Sequence, residues 1–195
     1  MDYTARENEL KKKVVMMLKK DFALKPEAAG RDLVHGETVR ADFLAWPLSD
    51  IVAAGFPQQC IPIEVKYLEN DDVGGLAEVC WQAITYQQSV FFGKGGMELR
   101  PLFTLIYANG AVNKDPTGEY ANAWRWASRL LQRANVGLLD LEGSAIWRFM
   151  FGATPFCQRG RQGIKMGNVE NVGLKIYVGN VSEGRGITTR YGGRQ

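Results

Sequence analysis

The chain of 195 residues is long enough for one domain with a sizeable core, and 46% hydrophobic with 23% charged residues is ordinary for a globular protein. Its net charge of +3 is too small to indicate nucleic-acid binding by itself. Three separated cysteines and a single histidine offer no zinc motif and no four-cysteine iron–sulfur cluster. The charged N-terminus and the lack of a long apolar run predict a cytoplasmic protein that does not enter a membrane.

The first predicted element is a helix from about Ala5 to Phe22. Thr4 and Glu7 have the spacing of a capping box, and apolar residues follow at helical intervals. Glu7 lies one turn before Leu10, near the edge of the apolar face, so it either only caps the helix or reaches towards a functional site. The lysines of this helix are expected mostly on its outer side: Lys11, Lys12, Lys13, Lys19 and Lys20.

Two runs of residues predict neighbouring antiparallel strands. The segment 27–36 is polar and turn-like, and the run Thr38–Trp46 after it has the residue types of a strand. A connector at 47–58 with glycine and proline leads to a second strand, Cys60–Tyr67. Strands this close in the chain usually lie side by side in a sheet.

Four charged residues stand inside these two strands: Arg40, Asp42, Glu64 and Lys66. Asp42 lies in the middle of the first strand, where aspartate is disfavoured. Glu64 and Lys66 are two residues apart in the second, so their side chains share one face. A purely structural explanation is an ion pair, for example between Asp42 and either Arg40 or Lys66.

A second helix is predicted from about Leu76 to Phe92, with an apolar stripe along one side. Glu78, Gln82 and Tyr86 are four residues apart and form one polar row beside that stripe. An amide and a tyrosine on a helix surface are also ordinary packing residues, so the row alone does not indicate a site.

The remaining predicted elements are a buried strand, a helix and two further strands: Pro101–Ala108, Glu119–Ala134, Val136–Leu141 and Ala145–Phe151. We expect one domain at 1–155 and a glycine-rich extension at 156–195, packed on that domain or trailing from it, with a strand at Lys175–Val178. The extension has seven basic and two acidic residues, a local net charge of +5. Such an end fits a polyanion partner or a solvated tail.

The order of these elements and motifs resembles the PD-(D/E)XK nuclease superfamily over roughly residues 5–108. Asp42 in RADF matches the metal-binding acid of that family, and Glu64 with Lys66 in IEVK matches its second acid and lysine. Gln82 and Tyr86 in WQAITY match the QxxxY motif of the RecB-like exonuclease branches. The resemblance implies an α/β restriction-endonuclease-like core, a mixed central sheet flanked by helices in αβββαβ order, with a β-rich basic extension.

This resemblance implies a Mg²⁺ site, at which Mn²⁺ can substitute and no iron–sulfur cluster is needed. A phosphodiester repels a hydroxide nucleophile, and a hard divalent cation held by carboxylates neutralises that charge. Asp42 and Glu64 are the expected carboxylate ligands. The resemblance adds the main-chain carbonyl of Val65, and it places Glu7 where some members have a further acid. Lys66 would position or deprotonate the attacking water.

The function expected on these grounds is Mg²⁺-dependent hydrolysis of phosphodiester bonds in DNA, in recombination, repair or phage DNA processing. Endonuclease and exonuclease activity both stay open, as do RNA as a substrate, homo-oligomers and a helicase or recombination partner. The alternative is a non-catalytic protein of the same fold that binds nucleic acid or another protein. The basic residues expected to contact nucleic acid are Arg40, Arg159, Arg161 and Lys165.

Overall fold

The computed structural model describes residues 2–69, 72–109 and 118–167, which form an α/β structure around one large mixed sheet. Its helices are α1 (Tyr3–Leu18), α2 (Ser49–Ala53), α3 (Val73–Gln87) and α4 (Gly118–Arg133). Its strands are β1 (Phe22–Asp32), β2 (Thr38–Pro47), β3 (Ile61–Lys66), β4 (Ser89–Phe92), β5 (Glu98–Leu99), β6 (Thr104–Ala108), β7 (Val136–Glu142), β8 (Ile146–Phe151), β9 (Thr154–Gly160) and β10 (Gly163–Met166). Among these helices none is both long and apolar enough to cross a membrane.

The ten strands of this part of the chain follow the order β10-β9-β8-β7-β6-β3-β2-β1-β4-β5. Neighbours are antiparallel except in the centre, where β3 pairs in parallel with β6, and β6 in parallel with β7. Helices cover both faces of the sheet. Alternate residues of β6 show this, since they belong to different apolar clusters. Leu105 packs in the cluster that contains α1 residues, whereas Ile106 packs in the cluster that contains α3 and α4 residues.

Helix α1 is shifted towards the N-terminus relative to its prediction. The side chain of Asp2, not that of Thr4, caps it by accepting a hydrogen bond from the Ala5 N–H at 3.1 Å. The helix ends at Leu18, and Phe22 already belongs to β1. The predicted extension to Phe22 was wrong, because a helical interval cannot distinguish the last apolar residue of a helix from the first buried residue of a strand.

The segment 27–36 was predicted as a turn, but most of it belongs to β1, which pairs with β2 from Phe22 opposite Pro47 to Arg31 opposite Thr38. Pro26 and Gly30 are disfavoured in strands and caused this error. Gly30 has a packing reason, because a Cβ there would lie 2.6 Å from the carbonyl oxygen of Val90 on β4. The close approach of β4 to β1 therefore requires glycine.

Helix α3 is shorter than predicted, since it ends at Gln87 and residues 89–92 form β4 beside β1. The strand predictions Thr38–Trp46 and Cys60–Tyr67 are confirmed within one residue as β2 and β3. The elements α2, β5, β9 and β10 were not predicted. Strand β9 crosses the predicted division at 155 and pairs with β8, so the described part of the extension continues the sheet. The predicted strand Lys175–Val178 lies outside the described residues.

A buried ion pair ties the turn after α1 to the strands at the other end of the chain. Asp21 is fully buried, and its carboxylate accepts a hydrogen bond from the indole N–H of Trp147 at 2.9 Å. The guanidinium of Arg159 on β9 pairs with both carboxylate oxygens. This contact raises the pKa of Arg159, and it pairs the charge of Arg159 with a buried carboxylate of the same chain.

We expect Arg159→Met to lower the free energy of unfolding by about 3 kcal/mol, because it leaves the Asp21 carboxylate buried with a single neutral donor. Denaturant unfolding measures this loss. Arg161→Met is the matched control, since Arg161 is exposed on the same hairpin and its replacement should cost less than about 0.5 kcal/mol. Equal stability of the two variants would contradict the structural role of Arg159.

Candidate active site

The candidate site begins where β2 and β3 separate. Their ladder joins Ala45 to Ile61, Leu44 to Pro62 and Phe43 to Ile63, and Val65 lies two residues beyond its end. There the carboxylate of Asp42 accepts a hydrogen bond from the Val65 N–H, with Oδ2 2.8 Å from the nitrogen. The Asp42 carboxylate thus accepts the hydrogen bond that a main-chain carbonyl of β2 would accept if the two strands stayed paired. This explains why an aspartate stands in the middle of a strand.

The Val65 backbone also presents an oxygen to this gap. In an extended strand, the N–H and the C=O of one residue point to the same edge. Because the Val65 N–H bonds to Asp42, the Val65 carbonyl lies on that edge as well. Its side chain is buried among the core residues that pack against α1. The Val65 carbonyl, which the family resemblance implies as a metal ligand, therefore lies on the edge of β3 that faces Asp42.

Glu64 faces the other side of β3 and contacts α3. The Tyr86 hydroxyl lies 3.0 Å from Glu64 Oε2 and 2.8 Å from the carbonyl oxygen of Arg40. A tyrosine hydroxyl has one proton to donate, but both of these neighbours are acceptors when Glu64 is ionised. If the carboxyl of Glu64 carries a proton, it donates to Tyr86 and Tyr86 donates to Arg40, so that both hydrogen bonds form.

The pKa of Glu64 also favours a protonated carboxyl group. Burial, and then the negative charge of Asp42, raise the pKa of Glu64 to about 8. The hydrogen bond from Tyr86 and the charge of Lys11 oppose this shift. Without another cation, the two carboxylates therefore cannot both be ionised at neutral pH without a cost in free energy. The site favours the addition of positive charge.

Lys11 supplies some of that charge from α1. Its ammonium forms an ion pair with Asp42 Oδ1 and lies 3.5 Å from Glu7 Oε1, one turn earlier on the helix. The expectation that Lys11 covers the outer side of α1 was wrong, because the helix is rotated so that Glu7 and Lys11 face the end of β2. The sequence contained one signal of this position, the spacing of Lys11 four residues after Glu7.

The other charges at the site have different partners from those considered above. Lys66 Nζ lies 3.2 Å from Glu78 Oε2 on α3, and Arg40 Nε lies 3.0 Å from Glu27 Oε2 on β1. An ion pair of Asp42 with Arg40 or Lys66 is therefore not what the structure contains. Lys66 is three-quarters buried and is held on the α3 side of the sheet.

The polar row on α3 faces the two charged residues of β3. Its ends make the contacts just described, Glu78 with Lys66 and Tyr86 with Glu64. Gln82 lies between them, and its Oε1 atom is buried without a hydrogen-bond partner among the described residues. A buried amide oxygen without a donor is costly, so the position suits a bound water or a ligand that donates a hydrogen bond.

The four basic residues expected to contact nucleic acid do not form one patch. Arg40 is on β2, whereas Arg161 and Lys165 are exposed in the hairpin of β9 and β10. Five strand spacings separate β2 from β9, a distance of about 24 Å. Arg159 is occupied by the buried Asp21.

The donor atoms at the gap fit a hydrated Mg²⁺ ion. Asp42, Glu64 and the Val65 carbonyl offer only oxygen, and Mg²⁺ is commonly bound by one or two carboxylates while it keeps several waters. Within residues 2–69, 72–109 and 118–167 no group of three or more His, Cys, Asp or Glu side chains is placed to hold a metal. The raised pKa of Glu64 and the unpartnered oxygen of Gln82 are both features that a cation with bound waters would relieve.

Comparison with known proteins does not identify a family for this chain. No family model, no curated protein and no solved structure matches it. A function therefore has to be inferred from the chemistry of the residues that α1, β2, β3 and α3 bring together.

The raised pKa of Glu64 predicts that the metal-free protein loses stability as the pH rises. Between the unfolded pKa of about 4.5 and the folded pKa of about 8, the folded state binds more protons than the unfolded state, so the free energy of unfolding falls across this window. Glu64→Gln keeps an acceptor for Tyr86 and removes the ionisation. Relative to the wild type, this variant should gain on the order of a few kcal/mol between pH 5 and pH 8.5.

Denaturant unfolding in EDTA at several pH values measures that gain. Glu98→Gln is the control, because Glu98 is a more exposed acid paired with Arg31 at the far edge of the sheet. Parallel stability curves for the wild type and Glu64→Gln would show that Glu64 titrates normally.

Proposed function

We propose that this protein is a Mg²⁺-dependent nuclease that hydrolyses phosphodiester bonds in DNA. The observation that carries the proposal is the bridge from the Asp42 carboxylate to the Val65 N–H, beside the buried Glu64. It brings the Asp42 carboxylate to the edge of β3 that presents the Val65 carbonyl, and Asp42 is close enough to Glu64 for its charge to raise the pKa of Glu64. An oxygen-rich site of this kind suits a hard cation and a phosphate.

The order of the elements supports a restriction-endonuclease-like core. The succession α1, β1, β2, β3, α3, β6 follows the αβββαβ order that the PD-(D/E)XK resemblance implies, with α2 and the pair β4–β5 as additions. Asp42, Glu64 and Lys66 lie on the two central strands of this succession, and Gln82 and Tyr86 lie on the helix that packs against them.

A Mg²⁺ ion held by Asp42, Glu64 and the Val65 carbonyl would neutralise phosphate charge and make its bound water a better nucleophile. Different groups of the chain would orient the two carboxylates. Asp42 is oriented by the Val65 N–H, and Glu64 by Tyr86. Ionisation of Glu64 must accompany binding, so Tyr86 can then donate its single proton to only one of its two acceptors.

Lys66 is the group that we assign to the attacking water. It follows Glu64 on the same face of β3, and its ammonium is held at 3.2 Å by Glu78. From this position Lys66 would orient the water or stabilise the charge that develops on the phosphate oxygens. Gln82 has the free acceptor to hold a second water beside it.

We expect the purified protein to cleave linear, circular or single-stranded DNA when Mg²⁺ or Mn²⁺ is present, and to be inactive in EDTA. Glu64→Gln and Lys66→Met should each lower kcat by about 100-fold or more, because each removes a group that contacts metal or water. Comparison of linear with circular DNA distinguishes exonuclease from endonuclease activity, and an RNA substrate completes the panel.

Glu98→Gln should retain full activity, since this acid is paired at the far edge of the sheet. Wild-type rates in the Glu64→Gln and Lys66→Met proteins would assign any observed cleavage to a contaminating nuclease or to another site.

One observation favours the alternative, a non-catalytic protein that binds nucleic acid or another protein. Asp42 forms an ion pair with Lys11, and Lys66 forms one with Glu78, so two of the residues proposed to act on metal or water already have partners within the chain. Binding of DNA without metal-dependent cleavage of any substrate in the panel would support this second function.

A further inference from the structure

The ion pair of Lys11 with Asp42 is much less exposed than the ion pair of Lys12 with Glu9 on the same helix. Lys11 and Asp42 have only 23% and 12% of their side chains exposed, whereas the pair of Lys12 with Glu9 is 73% and 70% exposed. The Coulomb attraction within an ion pair shielded from water is stronger than within a solvated one, because the effective dielectric constant is lower. Lys11 is therefore a strong local source of positive charge at Asp42.

Asp42 cannot give both of its oxygens to a new ligand while this contact persists. Oδ2 accepts from the Val65 N–H, and Oδ1 accepts from Lys11. The bond to Val65 is part of the sheet edge, whereas a lysine side chain has four rotatable bonds and can move. A cation that binds Asp42 would thus compete with the ammonium of Lys11.

We propose that Lys11 is an internal counter-cation, which neutralises Asp42 in the metal-free protein and has to be displaced when a divalent cation binds. This inference rests on the proposed metal site of the nuclease and adds a competing group to it. The ammonium occupies an oxygen that the metal needs, and its charge repels an arriving cation. Lys11 acts through Asp42, so it is a positioning residue and not a catalytic one.

Glu7 is the acceptor that takes the displaced ammonium. Its Oε1 lies 3.5 Å from Lys11 Nζ already, one helical turn away on the same face of α1. A small rotation of the lysine side chain exchanges Asp42 for Glu7 without a movement of the backbone. This assigns Glu7 a role different from the two considered from the sequence, a helix cap or a further acid near the metal.

A double-mutant cycle on metal affinity tests both assignments. We expect Lys11→Met, which keeps the length of the side chain, to tighten the Kd for Mg²⁺ or Mn²⁺ about tenfold in titration calorimetry without DNA. Glu7→Gln should weaken the Kd several-fold in the wild type and leave it unchanged in the Lys11→Met protein. Lys12→Met is the matched control, since it removes the same charge from an exposed position and should leave the Kd unchanged.

Thermal unfolding provides a second measurement that does not depend on catalysis. In EDTA, Lys11→Met should have a lower Tm than Lys12→Met, because the partly buried Asp42 carboxylate loses its ion pair. In excess Mg²⁺ the Tm of Lys11→Met should rise by more than that of the wild type, since its metal binds more tightly.

The outcomes separate this inference from the proposed nuclease activity. Tighter metal binding by Lys11→Met in a protein that cleaves no DNA supports the counter-cation and overturns the nuclease. An unchanged Kd in Lys11→Met overturns the counter-cation while the metal site stands, and the lack of metal binding by both proteins overturns both. If Glu7→Gln weakens binding equally in the Lys11→Met protein, Glu7 is a ligand and its role as acceptor is wrong.

Discussion

The separation of β2 and β3 is the constraint on which the candidate site depends. β3 continues beside β6 after it leaves β2, so the Val65 N–H needs a partner inside the protein. An unpaired buried N–H would cost about 1–3 kcal/mol, and the Asp42 carboxylate provides the bond. The same bond places a negative charge beside the buried Glu64. The hydrogen bond between Asp42 and Val65 thus has two consequences. It pairs a buried main-chain N–H, and it creates a site that a cation would stabilise.

Much of the fold could be predicted from the sequence where the residue types and the spacing agreed. β2 and β8 contain β-branched and aromatic residues, β3 contains β-branched residues, and the apolar residues of β7 are mainly leucine. The predicted bounds of all four strands were nearly correct. β1 was missed because Pro26 and Gly30 favour turns, and only pairing with β2 and β4 overrides that tendency. β4 was taken for the end of α3, because its three apolar residues are too few to distinguish the periodicity of a strand from that of a helix.

In the candidate site, likewise, relations between residues close in the chain could be predicted, whereas contacts between distant elements could not. Glu64 with Lys66, and Gln82 with Tyr86, are close in the chain, so strand and helix geometry alone predicted which side chains share a face. The partner of Asp42 could not be predicted, since it depends on the rotation at which α1 packs on the sheet. The contact of Lys66 with Glu78 likewise depends on how α3 packs on β3, which short-range patterns do not contain.

The pairing of Asp21 with Arg159 has a consequence for how the protein is made. The two residues are 138 positions apart, and Asp21 lies in the turn that connects α1 to β1. During synthesis from the N-terminus, the carboxylate must wait for β9 to emerge from the ribosome before it gains its cationic partner. Contacts this distant in sequence form slowly. The residues of the candidate site, from Glu7 to Tyr86, are therefore all translated well before Asp21 acquires the cation that pairs with its buried charge.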